Sequence, residues 1–125
     1  MTNEEAQQYC QSLDSRRAFK LVEPQSLAEH HLVFAKFNST FEYFNAYWIG
    51  VKLEEAGGEA KYLSNNIPID FLSETAPENS WEPASSWYDG ENGELCFVVR
   101  VISGAAIWDD QECSGLREVL CETLI

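Results

Sequence analysis

Hard-oxygen donors crowd the last third of this chain. Glu94 stands two residues before Cys96, and the pair Asp109-Asp110 follows Trp108 just ahead of Cys113. Carboxylates held close together repel one another and raise each other's pKa unless a cation or a base neutralises them. A surface Ca²⁺ site is the chemistry such a set would serve, because Ca²⁺ takes roughly six to eight oxygen ligands in flexible geometry. The strand-like run from Cys96 to Ile102 separates the two clusters. If it pairs with a second strand around Ile107, the carboxylates meet at one end of a hairpin. Asp89-Gly90-Glu91-Asn92-Gly93 is acidic as well, but it lacks the length and terminal Glu spacing of an EF-hand and reads as a turn leading to Glu94.

Other chemistry finds little support. His30 and His31 are adjacent, so on a helix they point in different directions and cannot form the i, i+4 pair of a zinc protease; they read as surface or rim residues. No serine nucleophile elbow, phosphate loop or Cys/His nucleophile spacing occurs, and the acidic pairs lack a glycosidase context. The chain reads as a binding protein rather than an enzyme.

The elements that must position these residues are legible from periodicity. Thr2 with Glu5 forms a capping-box pattern ahead of Ala6, Tyr9, Cys10 and Leu13, so a first helix is predicted over 2–13 with Cys10 on its buried face. Ser26 with Glu29 repeats the device ahead of Leu27, Ala28, Leu32, Phe34, Ala35 and Phe37, predicting a second helix over 26–37. Phe19 to Val22 reads as a short strand stopped by Pro24, and Tyr47 to Val51 as a buried strand. Residues 54–94 hold most of the prolines and few periodic runs, but Tyr62, Phe71, Trp81, Trp87 and Tyr88 argue for an ordered loop with a small core. The final third alternates strand and turn: Leu95–Ile102, Ala105–Asp109 and Glu118–Cys121.

Size and charge bound the rest. The 125 residues suit one domain spanning 1–125, large enough for a real core yet helped by covalent staples. Eight basic residues against 21 acidic ones give a net charge of −13, which repels nucleic acid and anionic membrane. No apolar run reaches the roughly 20 residues of a membrane helix, so no membrane insertion is expected. The first residues do not read as a signal peptide, and the chain reads as a mature or truncated form. Four cysteines without a CxxC spacing favour disulfides over zinc or redox chemistry, leave three pairings open, and imply an oxidising, extracellular compartment. Asn38-Ser39-Thr40 fits an N-glycosylation acceptor.

In order and spacing, Cys10, Trp48-Ile49-Gly50-Val51, Glu94-Leu95-Cys96, Trp108-Asp109-Asp110, Cys113 and Cys121-Glu122 resemble the C-type lectin-like domain over nearly the whole chain. The resemblance implies an α+β fold in which two helices flank small antiparallel sheets, with a long Ca²⁺- and ligand-binding loop above them. It implies two disulfides, Cys10–Cys121 and Cys96–Cys113. Trp48 and Trp108 match tryptophans that pack inside, and Trp81 also reads as core. Family domains carry a strand ahead of the first helix that pairs with the last strand. This chain begins almost at the helix, so either that strand has been lost or the edge of the Cys121 strand is uncovered, which would invite a homodimer.

In sugar-binding members a Glu-Pro-Asn or Gln-Pro-Asp tripeptide, a Glu before the third cysteine and the Asn-Asp of W-N-D hold Ca²⁺, and sugar hydroxyls complete its shell. The matching residues here are Glu82, Glu94, Asp109 and Asp110 as metal ligands, with Glu82, Glu94 and Asp109 also meeting the sugar. Glu82-Pro83-Ala84 departs from the pattern, since Ala84 puts a methyl group where the family has a ligating amide or carboxylate. Ser85 or Asn92 would have to substitute. A second register, counted back from Cys96, lands on Ser86-Trp87-Tyr88, which contains no strong Ca²⁺ ligand. The first register is preferred because Trp87-Tyr88-Asp89-Gly90 then resembles the loop of galactose-type members, where a Trp face packs on the sugar. Glu29 with Glu122 matches an auxiliary Ca²⁺ site of some members. The resulting expectation is a secreted Ca²⁺-dependent lectin for galactose-type carbohydrate, with Trp87 as the stacking platform. Its rivals are a Ca²⁺-independent protein-recognition module, which Ala84 favours, and an ice- or mineral-binding domain, which acidity alone favours.

Overall fold

The computed structural model describes residues 1–14, 16–37, 46–70, 93, 95–102 and 105–123, with backbone alone for 33–37, 101–102 and 105–106. Helix α1 (Asn3–Ser12) begins where the capping box requires. Glu5 N–H donates to Thr2 Oγ1 at 3.2 Å while Thr2 N–H donates to Glu5 Oε1 at 3.0 Å. These bonds to Thr2 hold the Glu5 carboxyl below its ordinary pKa. The buried stripe of α1 is Asn3, Ala6 and Cys10; Tyr9 and Leu13, expected on it, are 41% and 45% exposed.

Strand β1 (Phe19–Leu21) and helix α2 (Leu27–Phe37) follow, the helix capped by Ser26 Oγ, which accepts from Glu29 N–H at 3.1 Å. Leu32, assigned to the apolar face of α2 by periodicity, stands 71% exposed. The remaining elements are β2 (Ala46–Lys52), β3 (Lys61–Tyr62), β4 (Cys96–Ile102), β5 (Ala105–Gln111), β6 (Glu118–Val119) and β7 (Cys121–Thr123).

The main sheet runs β3-β2-β4-β5, with β6 parallel to β2, while β1 and β7 form a separate antiparallel pair. β3 lies inside the stretch read as irregular. It is closed by a turn in which Tyr62 N–H donates to Ile67 O and Asn66 takes a left-handed φ of 58°, a region Asn tolerates.

Strands β2 and β4 read as continuous apolar runs because both faces of the sheet are covered. Ile49, Val51, Phe97, Val99 and Trp108 join Val22, Leu53, Ala60 and Tyr62 on one side. Ala46, Trp48, Cys96 and Val98 join Ala6, Cys10 and Leu21 on the other. Disulfide Cys10–Cys121 ties α1 to β7, and Cys96–Cys113 ties the start of β4 to the segment after β5. The bridge Cys10–Cys121 joins residues 111 apart in sequence at a Cα–Cα distance of 5.6 Å.

Gly50 in β2 packs closely against the segment that carries Leu21 and Glu23. A Cβ there would stand 2.5 Å from Glu23 Cγ and 3.1 Å from Leu21 O. Only glycine permits that approach. Glu23, 2% exposed, is a buried carboxylate with full compensation. It accepts from Lys20 Nζ at 3.0 Å, from Ser64 N–H at 2.9 Å and from Ser64 Oγ at 2.6 Å.

Candidate functional site

Strands β4 and β5 form the expected hairpin. Cys96 pairs with Gln111, Phe97 with Asp110 and Val98 with Asp109. The aspartates therefore sit at the end of the hairpin where β4 begins, beside the Cys96–Cys113 bridge, whose Cα atoms lie 5.1 Å apart.

Side chains alternate along a strand, so consecutive residues take opposite faces. Asp110 shares the face of Trp108 and Phe97 and is 6% exposed. Asp109 faces the other way, toward Arg100. Its Oδ2 accepts from Arg100 Nη1 at 3.3 Å and from Gln111 Nε2 at 2.7 Å, and Gln111 Oε1 in turn accepts from Arg117 Nη2 at 2.7 Å. The hairpin brings the two aspartates to one level without bringing their carboxylates to one face. Sequence reasoning missed this network, although the β4–β5 pairing together with the alternation rule would have found Arg100 on the Asp109 face.

His30 is the clearest departure from the sequence reading. Expected at the surface, it is fully buried. Its Nδ1 accepts from Trp108 Nε1 at 3.2 Å, with the ring centroids 5.8 Å apart. A buried indole N–H needs an acceptor, and α2 supplies it from His30. Trp108 and Trp48 are core residues as expected, 1% and 0% exposed. Trp48 Nε1 donates to Met1 O at 2.8 Å.

On the β1–β7 side, Glu122 Oε1 accepts from Glu23 N–H at 2.9 Å and lies 4.0 Å from Lys20 Nζ. Burial pushes the Glu122 carboxyl above its ordinary pKa, an effect that the hydrogen bond from Glu23 and the charge of Lys20 oppose; Glu29 and Glu23 add to the rise. Tyr62 Oη donates to Pro24 O, and its phenol is pushed up to about 12, first by burial and then by Asp70, Glu29, Glu23 and Glu122. Among the described residues, no three His, Cys, Asp or Glu side chains converge as a metal site.

Glu82, Ala84, Ser85, Trp87 and Asn92, Trp81, Glu94 and the Asn38 acceptor lie outside the described residues. So does the choice between the two registers of the tripeptide.

The family model of the lectin C-type domain matches residues 1–123, nearly the whole chain. This chain is a C-type lectin domain. The C-type lectin CEL-I from Cucumaria echinata superposes with a TM-score of 0.74 at 20% identity, covering 99% of this chain and 84% of that one. The C-type lectin domain of murine dendritic cell inhibitory receptor 2, solved in complex with N-glycan, gives 0.63 at 17% identity over 96% of this chain and 80% of its own. Human lithostathine gives 0.61 at 20% identity over 90% and 76%. No curated protein matches in sequence. At these identities the solved structures establish the lectin fold, and the two disulfides of this lectin domain join the cysteines that the resemblance implied. Membership of a lectin family gives the domain a binding role in general terms rather than a catalytic one.

Proposed function

We propose that this domain is a secreted, Ca²⁺-dependent carbohydrate-binding module with a preference for galactose-type ligands. The observation that carries the reading is the β4–β5 register, with Asp110 opposite Phe97 and Glu94 only three residues before Phe97. The donor chemistry fits Ca²⁺ in Asp110, Glu94 and Glu82, all hard oxygen ligands. Asp109 fits only by exchanging Arg100 and Gln111 for the ion. Bound there, Ca²⁺ would supply coordination positions for sugar hydroxyls. Trp87 would cover the apolar face of the ring. The two disulfides support an oxidising compartment.

A second reading is favoured by a specific observation. Ala84 offers no side-chain ligand, and Asp109 is already engaged by Arg100 and Gln111. Both suit a Ca²⁺-independent module that recognises protein. Thermal unfolding in EDTA, then in millimolar Ca²⁺ with and without galactose or mannose, separates the two. A ligand that prefers the native state must stabilise it. A Ca²⁺-dependent rise in Tm, extended by galactose more than by mannose, is expected. An unchanged Tm in Ca²⁺ rejects the lectin reading in favour of the protein-recognition one.

A further inference from the structure

Cations are scarce in this chain, and several of those described are spent on carboxylates nearby. Arg16 pairs with Asp14, Lys20 with Glu23, Lys52 and Lys61 with Glu54, and Arg100 with Asp109. Arg117 differs. It is half-buried, yet among the described residues no carboxylate lies within 4.0 Å of it. Its guanidinium is held in place by neutral acceptors, Nη1 donating to Leu116 O at 2.7 Å and Nη2 to Gln111 Oε1 at 2.7 Å. Its backbone N–H donates to Met1 O at 2.9 Å. A partly desolvated guanidinium, fixed but not neutralised, is a preorganised anion receptor, because its planar fork matches an oxyanion.

The receptor opens into a cavity of about 300 Å³ lined by Arg100, Gln111, Leu116, Arg117 and Glu118 among others. Arg100 brings a second guanidinium, its side chain 41% exposed, and among the described residues only the bond to Asp109 spends one of its donors. Glu118 adds an acceptor and Leu116, 69% exposed, an apolar patch. Two donor forks, one carboxylate acceptor and one apolar wall in a space of this size suit a single ring that carries both an oxyanion and hydroxyl groups.

We infer that this cavity, on the Asp109 face of the β4–β5 hairpin, is an oxyanion site for an acidic sugar residue, with Arg117 as its anchor. The oxyanion meets the free N–H groups of Arg117 and Arg100, hydroxyls donate to Glu118, and the ring lies along Leu116. The site uses neither Glu82, Glu94 nor Asp110, so it functions without Ca²⁺. The net charge of −13 opposes the approach of any anion, so affinity comes from contact rather than steering.

The test is calorimetric titration of the full chain in EDTA at low ionic strength with glucuronate, galactose 6-sulfate and neutral galactose. Binding of at least one acidic sugar at about millimolar Kd, with neutral galactose at least tenfold weaker, is expected. The order of the two acidic sugars tells a carboxylate from a sulfate ester as the source of the oxyanion. Arg117→Gln should weaken the acidic sugar about tenfold, Arg117→Lys less because it keeps the charge without the fork, and Glu118→Gln should not mimic Arg117→Gln. Circular dichroism and the Tm of each variant identify a folding defect. Equal binding of acidic and neutral sugars, no acidic sugar bound by the wild type, or a folded Arg117→Gln with unchanged affinity would overturn the assignment.

Discussion

Replacing Gly50 by alanine places a methyl carbon 2.5 Å from Glu23 Cγ and 3.0 Å from its Oε2. Ordinary carbon contacts lie near roughly 3.5–4.0 Å, so one partner must give by about an ångström. Glu23 cannot yield cheaply. Its carboxylate is held by Lys20 and twice by Ser64 at 2.6–3.0 Å, and its backbone N–H by Glu122. A shift of that size breaks at least one charged hydrogen bond in a site that is 2% exposed. Overpacking costs about 1–3 kcal/mol, and a buried charged group losing a partner costs a comparable amount, so Gly50→Ala should destabilise by about 3 kcal/mol. In a chain of this length that corresponds to a fall in Tm of about 10 °C. Urea unfolding followed by tryptophan fluorescence measures it, and the double variant Gly50→Ala/Glu23→Ala measures the cause. Truncating the glutamate removes the two closest contacts and leaves the tight approach to Leu21 O at 3.1 Å, so the two changes should be non-additive, by about 2 kcal/mol. A single variant within about 0.5 kcal/mol of wild type, or strict additivity, would refute the steric argument.

On the Ca²⁺ reading, Arg100→Gln releases Asp109 from a competing cation and should tighten Ca²⁺ binding about threefold to tenfold in calorimetric titration; weaker binding would contradict it. Serine replacement of the Cys10–Cys121 pair should cost about 5 kcal/mol and of the Cys96–Cys113 pair about 3 kcal/mol, since the longer loop loses more closure entropy on the chain-entropy model; denaturant midpoints would show the order. Because the folded-state pKa of Tyr62 is raised to about 12, its contribution to stability is full below the ordinary value near 10 and is lost as pH climbs from there through about 12. Absorbance at alkaline pH should show one of the five tyrosines ionising late. The raised pKa of Glu122 likewise means that its ionisation opposes folding above the ordinary carboxyl range. Glu122→Gln, which keeps an oxygen to accept from Glu23 N–H, should therefore raise the Tm at about pH 7 and lose that advantage at about pH 4, below the ordinary carboxyl pKa.

The elements were legible because their signals are local. The Thr2/Glu5 capping box, the Ser26 cap and the apolar runs of β2 and β4 each depend on neighbours within a few residues, and α1, α2, β1, β2, β4 and β5 lie within about two residues of their expected bounds; β3 was not expected, and the strand expected over Glu118–Cys121 is divided between β6 and β7, which join different sheets. The departures are tertiary. His30 is buried because Trp108, 78 residues away, needs an acceptor for its N–H, and no pattern within α2 announces that demand. Tyr9 stands exposed because α1 turns the smaller Asn3, Ala6 and Cys10 to the core. The candidate site was half legible. The hairpin and the placement of Asp109 and Asp110 at its β4-start end follow from strand patterning, but the engagement of Asp109 by Arg100 and Gln111 depends on which face each residue takes. That is fixed by register, and register is set by what both sheets of side chains must cover.

The bridge between Cys10 and Cys121 also makes the domain a mechanical short circuit. A tension applied beyond those residues passes from α1 to β7 across 5.6 Å between Cα atoms. The chain between them, about 370 Å when fully drawn out, bears none of it. The main sheet is thus out of the load path, and the hairpin that carries Asp109 and Asp110 would keep its register under a pull transmitted through the ends. Reduction of that one covalent bond would return β2 and β3 to the load path, while Cys96–Cys113 would still hold the β4–β5 hairpin out of it.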